Sequence, residues 1–299
     1  MSEFACNGIV VGVDGSPASY SAVEWAARDA VMRHLRLTLV HAENLFAATW
    51  PESPEVEEVA IWQEDAGKRI LNDALKIADD SIRGRRAIPI ECELIFSPAA
   101  ATLVDLSRHA ELVVVGDRGR GALARSLLGS VSTSVVRHAH CPVAVVRNAG
   151  GPRPDLQGPV LLGIDGSPAS ELATVIAFDE ASRRKAALVA VHAWSDIAIL
   201  ELPGLDWSAV KAEEDRSLAE RLAGWQERYP DVELRRHLVC DRAADVIAQM
   251  AKSAQLVVLG SHGRGALGRT FLGSVSNAVL QVVQVPIIVA RSSTATSKL

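Results

Sequence analysis

The 299-residue sequence predicts an α/β protein of two tandem doubly wound domains, each a five-stranded, mostly parallel sheet with helices on both faces. Three observations predict it. The length is about twice that of a typical domain, the chain is written twice, and short apolar runs alternate with longer amphipathic stretches inside each copy. GVDGSPAS at Gly12–Ser19 returns as GIDGSPAS at Gly163–Ser170, and Val40-His41-Ala42 as Val191-His192-Ala193, both 151 residues on. GRGAL from Gly119 and LGSVS from Leu128 return from Gly263 and Leu272 at an offset of 144, so seven residues are missing from the middle of the second copy. The expected domains are 1–147 and 160–292. A Gly/Pro-rich linker, 148–159, joins them, and a frayed polar tail follows at 293–299.

The elements follow in order. Gly8–Val13 is too short for a helix and suits a strand buried on both faces. Ser16-Pro17 offers an N-cap and a first-turn proline for a helix running to about Arg33. Leu37–Ala42 is a second strand. From about Glu57 to Asp80, Ile70, Leu71, Ala74, Leu75 and Ala78 share one helical stripe. Ile90–Phe96 is a third strand, Ser97-Pro98 caps another helix, and Leu112–Val115 is a fourth strand. A helix starting near Gly129 and a strand at Val143–Val146 complete the unit. That last strand and its counterpart Ile287–Ala290 are apolar sheet-edge segments, expected at a domain or subunit contact.

Composition narrows the function classes. With 48% apolar and 22% charged residues the chain can bury real cores, and a formal charge of −5 supplies no positive field for nucleic acid or an anionic membrane. No apolar run approaches the roughly 18 residues of a bilayer span, and Glu3 and Asp14 break a secretory pattern, so a cytoplasmic location is expected. Cys6, Cys92, Cys141 and Cys240 form no C-x-x-C pair, which fits a reducing compartment.

In doubly wound sheets ligands bind beyond the carboxyl ends of the strands. After strand four the copies read Gly116-Asp117-Arg118-Gly119 and Gly260-Ser261-His262-Gly263, each followed after nine residues by Gly-Ser-Val-Ser, Gly129–Ser132 and Gly273–Ser276. Glycines there allow positive φ and close approach of an anion, and the helix opening at Gly129-Ser130 favours phosphate. The Ser130 and Ser132 hydroxyls can add donors. Arg118, Arg120 and Arg125 in one copy, and His262, Arg264 and Arg269 in the other, ring loops that carry no acid after Asp117 or Asp245. Asp14 and Asp165 end strand one at the same edge, where they can accept from a ribose hydroxyl or adenine amine, or help hold a phosphate-bound Mg2+.

Duplicated domains with VGVDGS at strand one, VHA after strand two and G-x2-G-x9-G-S after strand four resemble the two-domain universal stress proteins of the mycobacterial type. The resemblance implies an adenine-nucleotide alpha-hydrolase-like fold with ATP in each domain, adenine near Asp14 and the Ala42 backbone, and phosphates on Gly116, Gly119, Gly129, Ser130 and Ser132. Val115, Arg118 and Val131 complete that set. The second domain's set is Asp165, Ala193, Leu259, Gly260, His262, Gly263, Gly273, Ser274, Val275 and Ser276. Asp117 departs from the small polar residue represented by Ser261. The resemblance also implies regulation of growth arrest, hypoxia, dormancy and stress responses, a homodimer, an unidentified protein partner, and Mg2+ held only through the nucleotide.

Other readings are set against this one. GRGALG at Gly263–Gly268 matches a dinucleotide fingerprint but follows strand four with no acid after it, and no Walker pattern or nucleophile elbow occurs. His138-Ala139-His140-Cys141 reads better as a helix end than as a metal site. His41 and His192 read as local hydrogen-bonding groups, and Trp25, Trp62 and Trp225 as core or interface residues. No catalytic residue stands out. The alternatives to a regulatory ATP-binding module are a slow Mg2+-dependent ATPase or phosphotransferase, and a scaffold in which nucleotide is incidental.

Overall fold

The computed structural model describes residues 8–44, 56–119, 128–147, 157–193, 207–263 and 272–291. Arg120, Arg125, Arg264, Arg269, most of the expected linker and the tail lie outside the described residues. The chain divides into two units, one built on the strands between Gly8 and Val146 and the other on those between Val160 and Ala290.

The first unit runs β1 (Gly8–Gly12), α1 (Pro17–Arg33), β2 (Arg36–Ala42), α2 (Val56–Ser81), β3 (Ile90–Ile95), α3 (Ala99–Leu106), β4 (Leu112–Gly116), α4 (Ser130–His138) and β5 (Val143–Val146). Its strand order is β3-β2-β1-β4-β5, every pair parallel. Ile9, Val10 and Val11 have no exposed surface, as a strand covered on both faces requires. Helices α1 and α2 pack together on one side, and α3 and α4 pack together on the other. Winding reverses between β1 and β4, which opens a crevice at their carboxyl ends.

The second unit repeats this with β6 (Val160–Gly163), α5 (Pro168–Arg184), β7 (Leu188–Ala193), α6 (Trp207–Arg228), β8 (Leu234–Val239), α7 (Ala243–Met250), β9 (Leu256–Gly260), α8 (Ser274–Val282) and β10 (Ile287–Ala290). The order is β8-β7-β6-β9-β10, again parallel throughout. The missing seven residues come from the end of the helix, which shortens from 26 to 22 residues between α2 and α6, and from the turn that follows it. At the described end of the expected linker Gln157 is exposed, whereas Gly158 is buried and its carbonyl accepts from Gln255 Nε2 at 2.6 Å.

Both Ser-Pro helix starts form as expected. Ser16 and Ser167 cap α1 and α5, each side-chain oxygen accepting from the backbone N–H three residues on, Ser19 and Ser170, at 3.2 Å. At α3 the expectation fails, because Pro98 occupies the N-cap and no side chain caps the helix. On α2, Ile70, Leu71, Ala74 and Ala78 are buried, whereas Trp62 is 66% exposed and so is not a core residue.

Candidate functional site

Each switch point holds a cleft, of about 410 Å3 in the first unit and about 810 Å3 in the second. Sixteen residues line the first, and the residue equivalent to every one of them lines the second. The walls are built alike. The β1 and β6 ends bring Asp14 and Asp165, the β2 and β7 ends bring Ala42 and Ala193, and the β4 and β9 ends bring Val115 with Gly116 and Leu259 with Gly260. Arg118 with Gly119, and His262 with Gly263, follow in the loops, and the floor is the first turn of α4 or α8, Gly129–Ser132 or Gly273–Ser276. All twenty residues expected at the sites thus face one cleft or the other.

Two walls were missed by sequence reasoning. The first two turns of α3 add Ala99 and Leu103, matched by Ala243 and Ile247 on α7, and the second cleft also takes in Arg242. A hydrophobic stripe on a short helix gives no signal of which residue closes a cleft.

The DGS turn shapes the upper rim. Gly15 and Gly166 have φ of 80° and 75°, the left-handed region that glycine enters without strain. Asp14 Oδ1 accepts the Ser16 N–H at 3.0 Å and Asp165 Oδ1 accepts that of Ser167 at 2.9 Å. The other carboxylate oxygen, Oδ2, lies close against Gly119 or Gly263, too near for a Cβ there to fit without moving it. Both aspartates therefore combine a turn contact with a place in the cleft.

The strand-end glycines, Gly116 and Gly260, have a packing role as well. None of Gly116, Gly119, Gly129 or their counterparts has positive φ. A Cβ on Gly116 would lie 2.8–2.9 Å from the Ala18 carbonyl and Ser19 nitrogen, and one on Gly260 2.9–3.0 Å from Ala169 and Ser170. These two glycines let the strand end pass against the first turn of α1 or α5, so an added Cβ there would strain the scaffold. Ser132 also departs from expectation. Its hydroxyl donates to the Gly116 carbonyl at 2.6 Å, as Ser276 does to Gly260 at 2.7 Å, and is spent on the scaffold.

No side chain caps α4 or α8. The first N–H groups of a helix have no intrahelical partner, and here they open onto the cleft floor together with the positive end of the helix dipole. Arg118 and His262 stand beside them. In the first unit Asp117, 3% exposed, sits behind Arg118, with Oδ2 3.1 Å from Arg118 Nε and 4.0 Å from an Arg147 terminal nitrogen. Burial pulls Arg147 below the usual guanidinium range, and the Asp117 carboxylate opposes that pull. In the second unit Ser261 Oγ lies 3.0 Å from His262 Nδ1 instead.

His41 and His192 are buried strand-end groups, as expected, donating from Nδ1 to the Val13 and Ile164 carbonyls at 2.7 and 2.8 Å. His138 closes the last turn of α4, His140 N–H donates to Ser107 Oγ, and no group of three or more His, Cys, Asp or Glu able to hold a metal occurs among the described residues. Nor does any described helix have the length and apolarity to cross a membrane.

Fold and site together define a tandem pair of doubly wound α/β domains, each with a glycine-lined cleft at its switch point. The model of the universal stress protein family matches residues 7–147 and again 158–291. The chain is 58% identical to universal stress protein Rv2005c of Mycobacterium tuberculosis over 288 residues, covering 96% of this chain and 98% of that one. It is 50% identical to universal stress protein Rv2623 of the same organism, covering 96% and 97%. A universal stress protein from Archaeoglobus fulgidus shares the fold with a TM-score of 0.69 at 18% identity, over 96% of this chain and 99% of that one. The chain belongs to the universal stress protein family, with two such domains in tandem.

Proposed function

We propose that each half binds one ATP and that the protein is a regulatory nucleotide-binding module in stress response and growth control. The observation that carries this reading is the residue-for-residue match of two clefts that both end on an uncapped helix N-terminus. That floor supplies N–H donors and a favourable dipole for phosphates. Arg118 or His262 adds a side-chain donor, while the Asp14 or Asp165 carboxylate suits a ribose hydroxyl or adenine amine. Volumes of about 410 and 810 Å3 fall in the range of small-molecule sites. A Mg2+ ion would be held by the nucleotide's own phosphates, with Asp14 or Asp165 as the nearest carboxylate of the cleft. Phosphoryl transfer would need a positioned base or water beside the phosphates. Among the described residues the cleft linings offer a carboxylate only at these aspartates, where one oxygen already holds the DGS turn.

Calorimetric titration of the full chain with ATP is expected to give two sites per chain. Asp14→Asn and Asp165→Asn, which keep an oxygen for the turn while removing the charge facing the cleft, should each weaken one site. Mass spectrometry of the small molecule released on denaturing gently purified protein should return intact adenine nucleotide. A chain that carries no nucleotide and binds none would overturn the reading, and sustained phosphate release would favour the enzyme instead.

A further inference from the structure

We propose that the two sites are unequal and that Asp117 sets the difference, by holding Arg118 as an ion-pair partner that phosphate must displace. This rests on the nucleotide reading above and adds a residue that determines affinity.

Asp117 and Ser261 occupy the same backbone position. Each N–H donates to the end of the neighbouring strand, to Val146 at 2.8 Å or Ala290 at 3.2 Å, and each carbonyl accepts from the cleft glycine, Gly129 at 2.8 Å or Gly273 at 2.7 Å. The two loops therefore differ here in the side chain alone. Ser261 leaves the second loop without a carboxylate. Asp117 puts one in the first, almost wholly buried, and it engages the only arginine of that cleft's described lining.

The exchange is feasible because Asp117 has two arginines around it. When Arg118, whose side chain is 31% exposed, turns to a phosphate, Arg147, 7% exposed, stays beside the carboxylate. Arg147 thus keeps Asp117 from becoming a lone buried charge. Binding in the first cleft costs the Arg118–Asp117 pair and places phosphate near a carboxylate, whereas in the second cleft the corresponding contact is only the Ser261 hydroxyl with His262, with no carboxylate behind it. The protein would fill its second half first and its first half only at higher nucleotide concentration, giving two graded loaded states.

The test is the two-site ATP isotherm of the full chain. Wild type should show two classes of site, with Asp14→Asn abolishing or weakening the weaker one. Asp117→Ser should tighten the weak class about fivefold, the scale of a released partly exposed ion pair. Asp117→Asn, which keeps the side-chain volume beside Arg147, should act in the same direction, and Ser261→Asp should weaken the tight class. Two equal sites in the wild type would overturn the inference. So would an unchanged first-site affinity in an Asp117 variant with wild-type thermal melting. No binding at either site would bring down the nucleotide reading itself, a different result from equal binding.

Discussion

At the scale of single residues, the glycines of the cleft separate into those that serve the fold and those that serve the ligand. Gly116→Ala and Gly260→Ala drive a Cβ into the backbone of the α1 or α5 first turn. They are expected to cost about 1–3 kcal/mol in urea unfolding, the usual scale of overpacking. At Gly119 and Gly263 the Cβ meets only the tip of the Asp14 or Asp165 side chain, which can swing away. Gly119→Ala and Gly263→Ala should therefore melt close to wild type and lose nucleotide affinity. Equal destabilisation by all four would show that the division is wrong. The positions of these residues were legible in the sequence because the repeat marked them twice. Their jobs were not. Gly116 is tight because α1, nearly 100 residues earlier, passes against it, and Asp117 meets Arg147 only because β5 returns beside β4. Contacts of that kind leave no local pattern.

The elements themselves were almost fully legible, since periodicity and Ser-Pro starts are local signals. The helix ends were not. Both α1 and α5 stop on a residue other than glycine in the left-handed region, His34 at φ 58° and Lys185 at φ 52°. Glycine is the usual occupant, because a Cβ is strained there. In α1 the closing bonds are the pair of a Schellman motif, Leu35 N–H to Ala30 O at 3.0 Å and His34 N–H to Val31 O at 3.3 Å. These are backbone bonds, and both side chains are exposed, so replacing them loses little packing. His34→Gly and Lys185→Gly are each expected to stabilise the protein by about 1 kcal/mol, less the entropy glycine adds to the unfolded chain. A rise in urea midpoint with unchanged slope would bear this out. A fall would mean that the side chains contribute contacts that offset the strain.

At the scale of the whole molecule, duplication makes each half an internal control for the other, and the turn before the last strand is the clearest instance. Cys141 is 6% exposed, and burial pushes its thiol up from 9.0 to about 12, while the equivalent residue of the second half is Val285. A thiol held neutral in the folded state favours folding only where the unfolded thiol would ionise no more readily than the folded one. Its contribution is therefore whole below about pH 9 and is lost as pH rises from there toward 12. At roughly 1.4 kcal/mol for each pH unit of that window, the loss reaches a few kcal/mol. At this position the second half, with valine, has no titrating group. Unfolding followed by calorimetry from pH 8 to 11 should show the first half weakening ahead of the second, and Cys141→Val should remove most of that alkaline loss while leaving neutral stability close to wild type. If the valine variant lost stability with pH as steeply as the natural chain, the sensitivity would have to come from other groups. Tyr229 would be the first to test, since burial and its hydrogen bond to Asp179 also raise its pKa, and it lies in the second half.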